Sequence, residues 1–413
     1  MRRAVTGRPE HVATSLTTKL QARGMVPCGI AGRLRLILVI LCTLVATCAP
    51  TATPAAKPAS QPAAAVSPRP QTAEDHQWEE TVAKAREEGT VSVIVAPGQQ
   101  YREGVQAFQS TYPGIELQVR GEHIRDSLAR IPREREGGIY GSDVMIGAIG
   151  AGVFQEWIPR GVLQPVEPLV VRPEVRDDTK WADGFQGGWV DSAGTYVYGF
   201  LATTVRLVYV NRDFITEQEM PSAIALDVMM DPQWRGRIVW DDPRELGPGM
   251  TFGTAVIRQR SEEYLTQLIQ KQQVVASRDP RQIVEWVVRG RYPIGIALNS
   301  TILEGFKQEG LGHNVMPVEI KEINVSLPGF GALSVFDTAP HPNAAMVFAN
   351  WLLSRAGQAA YTASTVENSR RLDVPPTNAA LAPVRGIEYL NLQKEEFAPL
   401  RARAAQVATD ALR

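Results

Sequence analysis

The run Thr90-Val-Ser-Val-Ile-Val-Ala96, the turn Pro97-Gly98, and the stretch from Gln99 to Val119 decide the fold. Thr90 to Ala96 is β-branched through its middle and carries no charge, the pattern of a strand buried on both faces. Val105, Phe108 and Tyr112 stand at i, i+3 and i+7, which predicts a helix with one apolar stripe, ended by Pro113-Gly114. Ile115, Leu117 and Val119 then alternate as a second strand. Outward from this unit, the pattern predicts a helix over 78–88, a more polar helix near 124–131, and a third strand in Ser142-Asp-Val-Met-Ile-Gly147. Such a β-α-β-α-β order predicts a parallel sheet with right-handed crossovers.

Further along, a helix is expected near 153–159, strands over 195–202 and 206–211, and a turn feeding a strand in Asp231-Pro-Gln-Trp-Arg-Gly-Arg-Ile-Val-Trp-Asp241. Gly247-Pro-Gly-Met-Thr-Phe252 opens a helix, another follows over 262–272, and Ile283, Val284, Trp286, Val287 and Val288 make an amphipathic one. Tyr292-Pro-Ile-Gly-Ile-Ala-Leu298 reads as a strand that delivers Asn299, Ser300 and Thr301 to its carboxyl end. Ala332 to Phe336 reads as a late strand, and Asn343 as the cap of an apolar helix through Leu353. The body of about 340 residues exceeds one comfortable core, so two lobes are expected. The fold class is α/β: each lobe a mixed or parallel sheet flanked by helices, with two crossing strands, near 195–203 and 327–333, as hinge. The boundaries read 76–199 for the first part of lobe I, 200–328 for lobe II, and 329–413 for the return to lobe I with C-terminal helices.

The N-terminus adds an address. Arg33 and Arg35 precede the apolar run from Leu36 to Ala46, and Cys48 closes it; this pattern resembles a bacterial lipoprotein signal over residues 1–48, in which the cysteine is acylated. Met25 is a more ordinary start than Met1 for such a signal. Residues 49–75 are rich in Pro and Ala and read as a disordered tether. All three cysteines (Cys28, Cys42, Cys48) fall at or before that junction, which excludes thiol chemistry and disulfides from the body. A formal net charge of −1 argues against nucleic acid as a partner. The five histidines are scattered, and no nucleophile elbow, phosphate loop or dinucleotide fingerprint follows a predicted strand, so no enzyme and no cofactor is expected.

Several strings, in order, resemble the type II periplasmic solute-binding proteins of ABC transporters, in the ferric-iron-binding-like group. They are Thr111-Tyr-Pro-Gly-Ile115, Asp143-Val-Met-Ile-Gly147, Asp231-Pro-Gln-Trp-Arg-Gly-Arg-Ile238, Gly290-Arg-Tyr-Pro-Ile-Gly-Ile-Ala297, Ala339-Pro-His-Pro-Asn-Ala-Ala345 and Ser369-Arg-Arg-Leu-Asp-Val374. The resemblance implies a lipid-anchored monomer in the cell envelope that captures one small-molecule solute between its lobes and delivers it to an ABC permease. Hinge closure around a ligand is a known use of that architecture. A ferric receptor of the same family, or a sensor feeding a signalling partner, are the alternatives.

In the resemblance, iron-binding members carry adjacent tyrosines where this chain has Asn299, Ser300 and Thr301. Neutral amide and hydroxyl groups are poor ferric ligands, so a small polar or anionic solute, or a metal complex, is expected rather than a bare metal ion. The candidate ligand-binding residues are those at predicted strand ends and helix starts: Gly98, Gln99, Gln100, Ala148, Thr203, Thr204, Gly249, Thr251, Asn299, Ser300 and Thr301. Free N–H groups and the helix dipole at 98–100 and 249–251 would favour an anion. Tyr196, Tyr198, Tyr209, Trp189 and Phe330 are read as packing residues, Arg206, Arg370 and Arg371 as structural, and the pairs Asp177-Asp178 and Asp241-Asp242 as solvated turns.

Overall fold

The computed structural model describes residues 72–413; Cys48, the signal and nearly all of the tether lie outside the described residues. In chain order the elements are α1 (Ala73–Glu88), β1 (Thr90–Val95), α2 (Gln99–Thr111), β2 (Glu116–Gly121), α3 (Ile124–Glu136), β3 (Val144–Gly147), β4 (Leu163–Gln164) and α4 (Pro173–Arg176). Then come β5 (Tyr198–Gly199), β6 (Thr203–Thr204), β7 (Val208–Asn211), β8 (Ala223–Ile224), β9 (Ile238–Asp241), α5 (Pro248–Gln259), α6 (Glu262–Lys271), β10 (Val275–Ser277) and α7 (Pro280–Val288). The last are β11 (Ile294–Ile296), α8 (Ser300–Gln308), β12 (Val315–Ile320), β13 (Ser326–Leu327), β14 (Ala332–Phe336), α9 (Pro342–Leu353), α10 (Arg355–Thr365) and α11 (Ala398–Ala411).

Two sheets result, and each owns a core. In the first, the order is β2-β1-β3-β14-β4, with β1 parallel to β2 and β3 and β14 running antiparallel to β3. Val91, Val93 and Val95 are buried to the last few square ångströms against Val105, Phe108 and the apolar helix α9, as the β-branched run demands. The second sheet has the order β10-β9-β11-β7-β12-β8, parallel through β10, β9 and β11 and antiparallel at β7. Its core gathers Trp234, Trp240, Phe252 and Leu265, and α11 packs here against α5 and α6. Between the sheets runs an antiparallel ribbon, β6 with β13, in which Ser326 pairs Thr204 and Leu327 pairs Thr203. The molecule is therefore two-lobed and mixed α/β.

Two expected elements differ. The strand over 195–202 shrinks to Tyr198–Gly199 because the Asp191 carboxylate takes the N–H groups of Thr195, Tyr196 and Val197 at 3.0, 3.0 and 2.8 Å, which a ladder would otherwise use. The helix near 153–159 is instead a single wide turn over Val153–Trp157, with Val153, Phe154 and Trp157 turned into the core.

After α10 the chain threads back through the first lobe. Ser369 bridges Leu201 and Arg371 bridges Trp181, so this segment lies between two others as an irregular third strand. Arg370 and Arg371 are buried there, and both give their guanidinium donors to backbone carbonyls, which is the structural role expected of them.

Candidate functional site

The carboxyl-terminal edges of the two sheets face each other. A Cβ at Gly150, just past β3, would lie 3.9 Å from Leu246 Cδ2, in the loop between β9 and α5. This approach across the lobes sets the ends of β3 and β9 opposite each other, and such strand ends are where α/β sheets hold small ligands. A hollow of about 430 Å³ lies elsewhere, on the face of α7 with Arg281, Glu285 and Arg289, opposite its buried Ile283, Val284 and Val287. Its walls are mostly charged side chains of α7 and its flanks, with Trp286, and both signs of charge are mixed on it.

At the first-lobe edge, Gly98 has φ 141° and precedes α2 without a side-chain cap, a backbone conformation that only glycine adopts freely. The Gln100 side chain folds back over it, so a Cβ at Gly98 would meet Gln100 Oε1 at 2.7 Å. Gln99 is exposed and donates to Glu103 Oε1 at 2.6 Å. Ala148 caps a small apolar cavity with Ile124, Met145 and Ile149.

At the second-lobe edge, Asn299 accepts from Ile302 N at 3.0 Å and so caps α8, leaving the side chains of Ser300 and Thr301 exposed at the helix start. The residue that aims this cap is Ala297, held at φ 62° with its N–H 2.6 Å from Leu207 O. A non-glycine residue there carries strain. We expect Ala297→Val to lose about 2 kcal/mol in chemical denaturation, and Ala297→Gly to lose nothing; equal losses would remove backbone strain as the cause.

Other candidate residues are committed already. Thr203 Oγ1 accepts from Asn368 N at 3.2 Å and Thr204 Oγ1 donates to Leu381 O at 3.0 Å, so the ribbon's hydroxyls tie the C-terminal segment to the hinge. Thr251 is buried and donates to Gly247 O at 3.1 Å. The expectation of a free donor at Gly249 is corrected: its N–H faces Asp241 Oδ2 at 3.3 Å, so α5 carries its own anion. The pair Asp241-Asp242 is not a solvated turn either. Asp242 is buried and forked by Arg244 at 2.7 Å with Arg278 at 3.0 Å, which hold its carboxyl below the usual range against the cost of burial. Phe330, expected in a core, is 39% exposed with its ring 5.2 Å from that of Tyr101. Tyr198 and Tyr209 are buried packing residues, and Tyr198 stacks on Phe185 at 4.7 Å.

Sequence reasoning missed Glu367. Burial alone pushes its carboxyl up to about 7, and its Oε2 is buried without a hydrogen-bond partner. Burial likewise lifts Asp241 to about 6, opposed by the Gly249 N–H and assisted by the charge of Asp242. Both values lie above the ordinary carboxylate range, so the folded state keeps protons that the unfolded chain has released. The stabilisation is complete below that range and is lost as pH rises through about 6 to 7. Glu367→Gln, which cannot ionise, is expected to melt several degrees above the native chain near pH 8 and level with it near pH 5. A gap that stays constant with pH would exclude Glu367 as the source. No neighbouring pattern announces this residue: it stands alone between Val366, at φ 57°, and Asn368.

Among the described residues, no group of three or more His, Cys, Asp or Glu side chains could hold a metal ion, and no helix is long and apolar enough to cross a membrane.

Residues 92–359 match the family model described as bacterial extracellular solute-binding protein. Among solved structures, iron-bound HitA from Pseudomonas aeruginosa is similar at 19% identity and TM-score 0.57, covering 78% of this chain and 99% of its own. Trichodesmium IdiA (FutA), in complex with iron and citrate, is similar at 15% identity and TM-score 0.60, with 78% and 99% covered. AfuA from Actinobacillus pleuropneumoniae, with fructose-6-phosphate bound, is similar at 16% identity and TM-score 0.52, with 78% and 98% covered. At these identities the likeness is one of fold. The comparison with curated proteins gave no match.

Proposed function

We propose that this chain, which belongs to the bacterial extracellular solute-binding proteins, is the lipid-anchored substrate receptor of an ABC importer. It captures a small polar or anionic solute, free or as a metal complex, between its lobes and passes it to the permease by hinge closure. It is a binding protein and not an enzyme. The observation that carries the reading is the opposition of the two sheets' carboxyl edges over the β6–β13 ribbon, with the uncapped start of α2 on one side and the exposed Ser300 and Thr301 on the other. An anionic group lodged at the α2 start would meet N–H donors that the protein itself does not cap.

A thermal-shift screen of the soluble body tests this reading, since a ligand of the native state raises the midpoint by mass action. Carboxylates, sulfonates, phosphonates and ferric citrate are the panel, and a hit should also compact the molecule in solution scattering. A hit that left the scattering unchanged would argue against closure.

The ferric reading is kept as second, because iron-bound HitA shares this fold. It requires a phenolate charge-transfer colour with ferric ion. Burial first and the nearby Glu367 next raise the Tyr101 phenol, against a smaller lowering by its hydrogen bond with Gln100, which works against that ligand. Cys48→Ala is expected to shift the protein from the membrane fraction to the soluble one, and unchanged fractionation would remove the lipid anchor.

A further inference from the structure

We propose that Glu367, together with the rings of Tyr101 and Phe330, forms a subsite for a cationic nitrogen, an organic ammonium, on the captured solute. The inference rests on the capture reading above and names the chemistry of one end of that cleft.

The geometry begins with an unanswered carboxylate. Glu367 Oε2 is buried with no partner, and no Arg, Lys or His forms an ion pair with Glu367 among the described residues. Leaving a buried carboxylate without a donor is costly, and a donor brought by a bound solute would relieve that cost. Its Oε1 lies 3.5 Å from the position of a Cβ on Gly329, a residue at φ 57°, so the carboxyl sits directly against the turn that carries Phe330. The Phe330 ring meets Tyr101 at 5.2 Å with 58° between the planes, and the Phe330 carbonyl accepts from Tyr361 Oη at 3.4 Å. Phe330 is exposed and stands two residues before Ala332, which pairs Gly147 at the end of β3, and Tyr101 lies one residue past Gln100 at the start of α2.

The groups facing the carboxyl are acids or neutral. Tyr101 comes from α2 and Tyr361 from α10, and the turn of Gly329 and Phe330 brings none; both phenols are pushed up by burial first and by Glu367 next, so they stay neutral. A carboxylate beside aromatic faces, in a site lacking any protein cation, suits an ammonium through charge pairing and cation–π attraction together. An acid group on the same solute would then fall toward the α2 start, which makes a zwitterion the best-matched guest.

Calorimetric titration of the mature protein near pH 8, where Glu367 is ionised, uses probe pairs that differ in the ammonium: γ-aminobutyrate against butyrate, and putrescine against 1,4-butanediol. The ammonium members are expected to bind and their partners to bind about tenfold more weakly or not at all. Glu367→Gln is expected to abolish that preference, while Glu367→Asp retains part of it. The melting curve of unliganded Glu367→Gln checks that the fold is intact. Failure of both ammonium probes to bind, equal binding within each pair, or a preference that survives Glu367→Gln would overturn the subsite. A carboxylate or ferric citrate that binds and is indifferent to Glu367→Gln would leave capture standing and remove only this inference.

Discussion

Gly249→Ala is expected to cost about 3 kcal/mol or more of stability. A Cβ at this position would stand 1.9 Å from the backbone oxygen of Asp241 and 2.8 Å from its carbonyl carbon. No rotamer change relieves a clash with backbone, so either the end of β9 or the first turn of α5 must move. That movement breaks two further contacts: Trp240 Nε1 loses the Gly249 carbonyl at 3.1 Å, and Asp241 loses the Gly249 N–H. Trp240 is buried in the second core, which makes the loss of its acceptor costly. Gly253→Ala is the control. It lies one turn further along the same helix, its nearest neighbour to a new Cβ is Trp240 Cζ2 at 3.7 Å, and alanine is the better helix former, so it is expected to be neutral or to stabilise by up to about 1 kcal/mol. Denaturant midpoints of the two variants decide the matter, and equal midpoints would show that the close approach at Gly249 is slack.

The same glycine shows why the site was less legible than the fold. Val93 to Ala96 and Val144 to Ile146 are uninterrupted apolar runs, and burial on both faces leaves few other homes for them. Strand β12 hides its pattern behind Pro317 and Glu319, two exposed residues at a position where β7 pairs it on one side and β8 only partly on the other. Gly247-Pro-Gly249 announces a helix start correctly, but the anion at that start is Asp241, eight residues back, and only the approach of β9 to α5 reveals it. Asp242 reads as a turn residue because its nearest cation, Arg244, is local, whereas Arg278 reaches it from beyond β10. Glu367 gave no signal at all. Its burial is created by Gly329, Phe330 and Tyr101, which are remote in sequence, and a lone acid in polar sequence is ordinarily solvated. Nor does the sequence of α11 name the sheet on which it packs. Elements are written in local periodicity, whereas what a site offers depends on which donors its own neighbours have already taken.

Arg371→Ala is expected to cost about 3 kcal/mol, because a buried side chain loses its packing and several hydrogen bonds together. Arg371 is 3% exposed, and its fork gives Nε and Nη2 to Asp373 at 2.9 Å each. Nη1 reaches Leu353 O at 3.1 Å and Glu174 O at 3.3 Å, and the guanidinium lies 5.2 Å from the Trp181 ring. One side chain therefore ties the end of α9, the first turn of α4 and the returning C-terminal segment to the first core. Truncation takes a donor from the buried carbonyl of Leu353 and from that of Glu174, opens a cavity beside Trp181, and frees Asp373, whose carboxyl the fork holds below its usual range. Arg371→Lys keeps the charge and loses the planar fork, so it should recover less than half of the loss. Asp373→Asn should cost less than either, because that side chain is 28% exposed and water can answer it. The lobes have separate cores, so unfolding in two steps is admissible, and the loss should then fall on the step that exposes Trp181. A cost under about 1 kcal/mol for Arg371→Ala would show that the carbonyls find water and that the segment is held by its strand-like pairing alone.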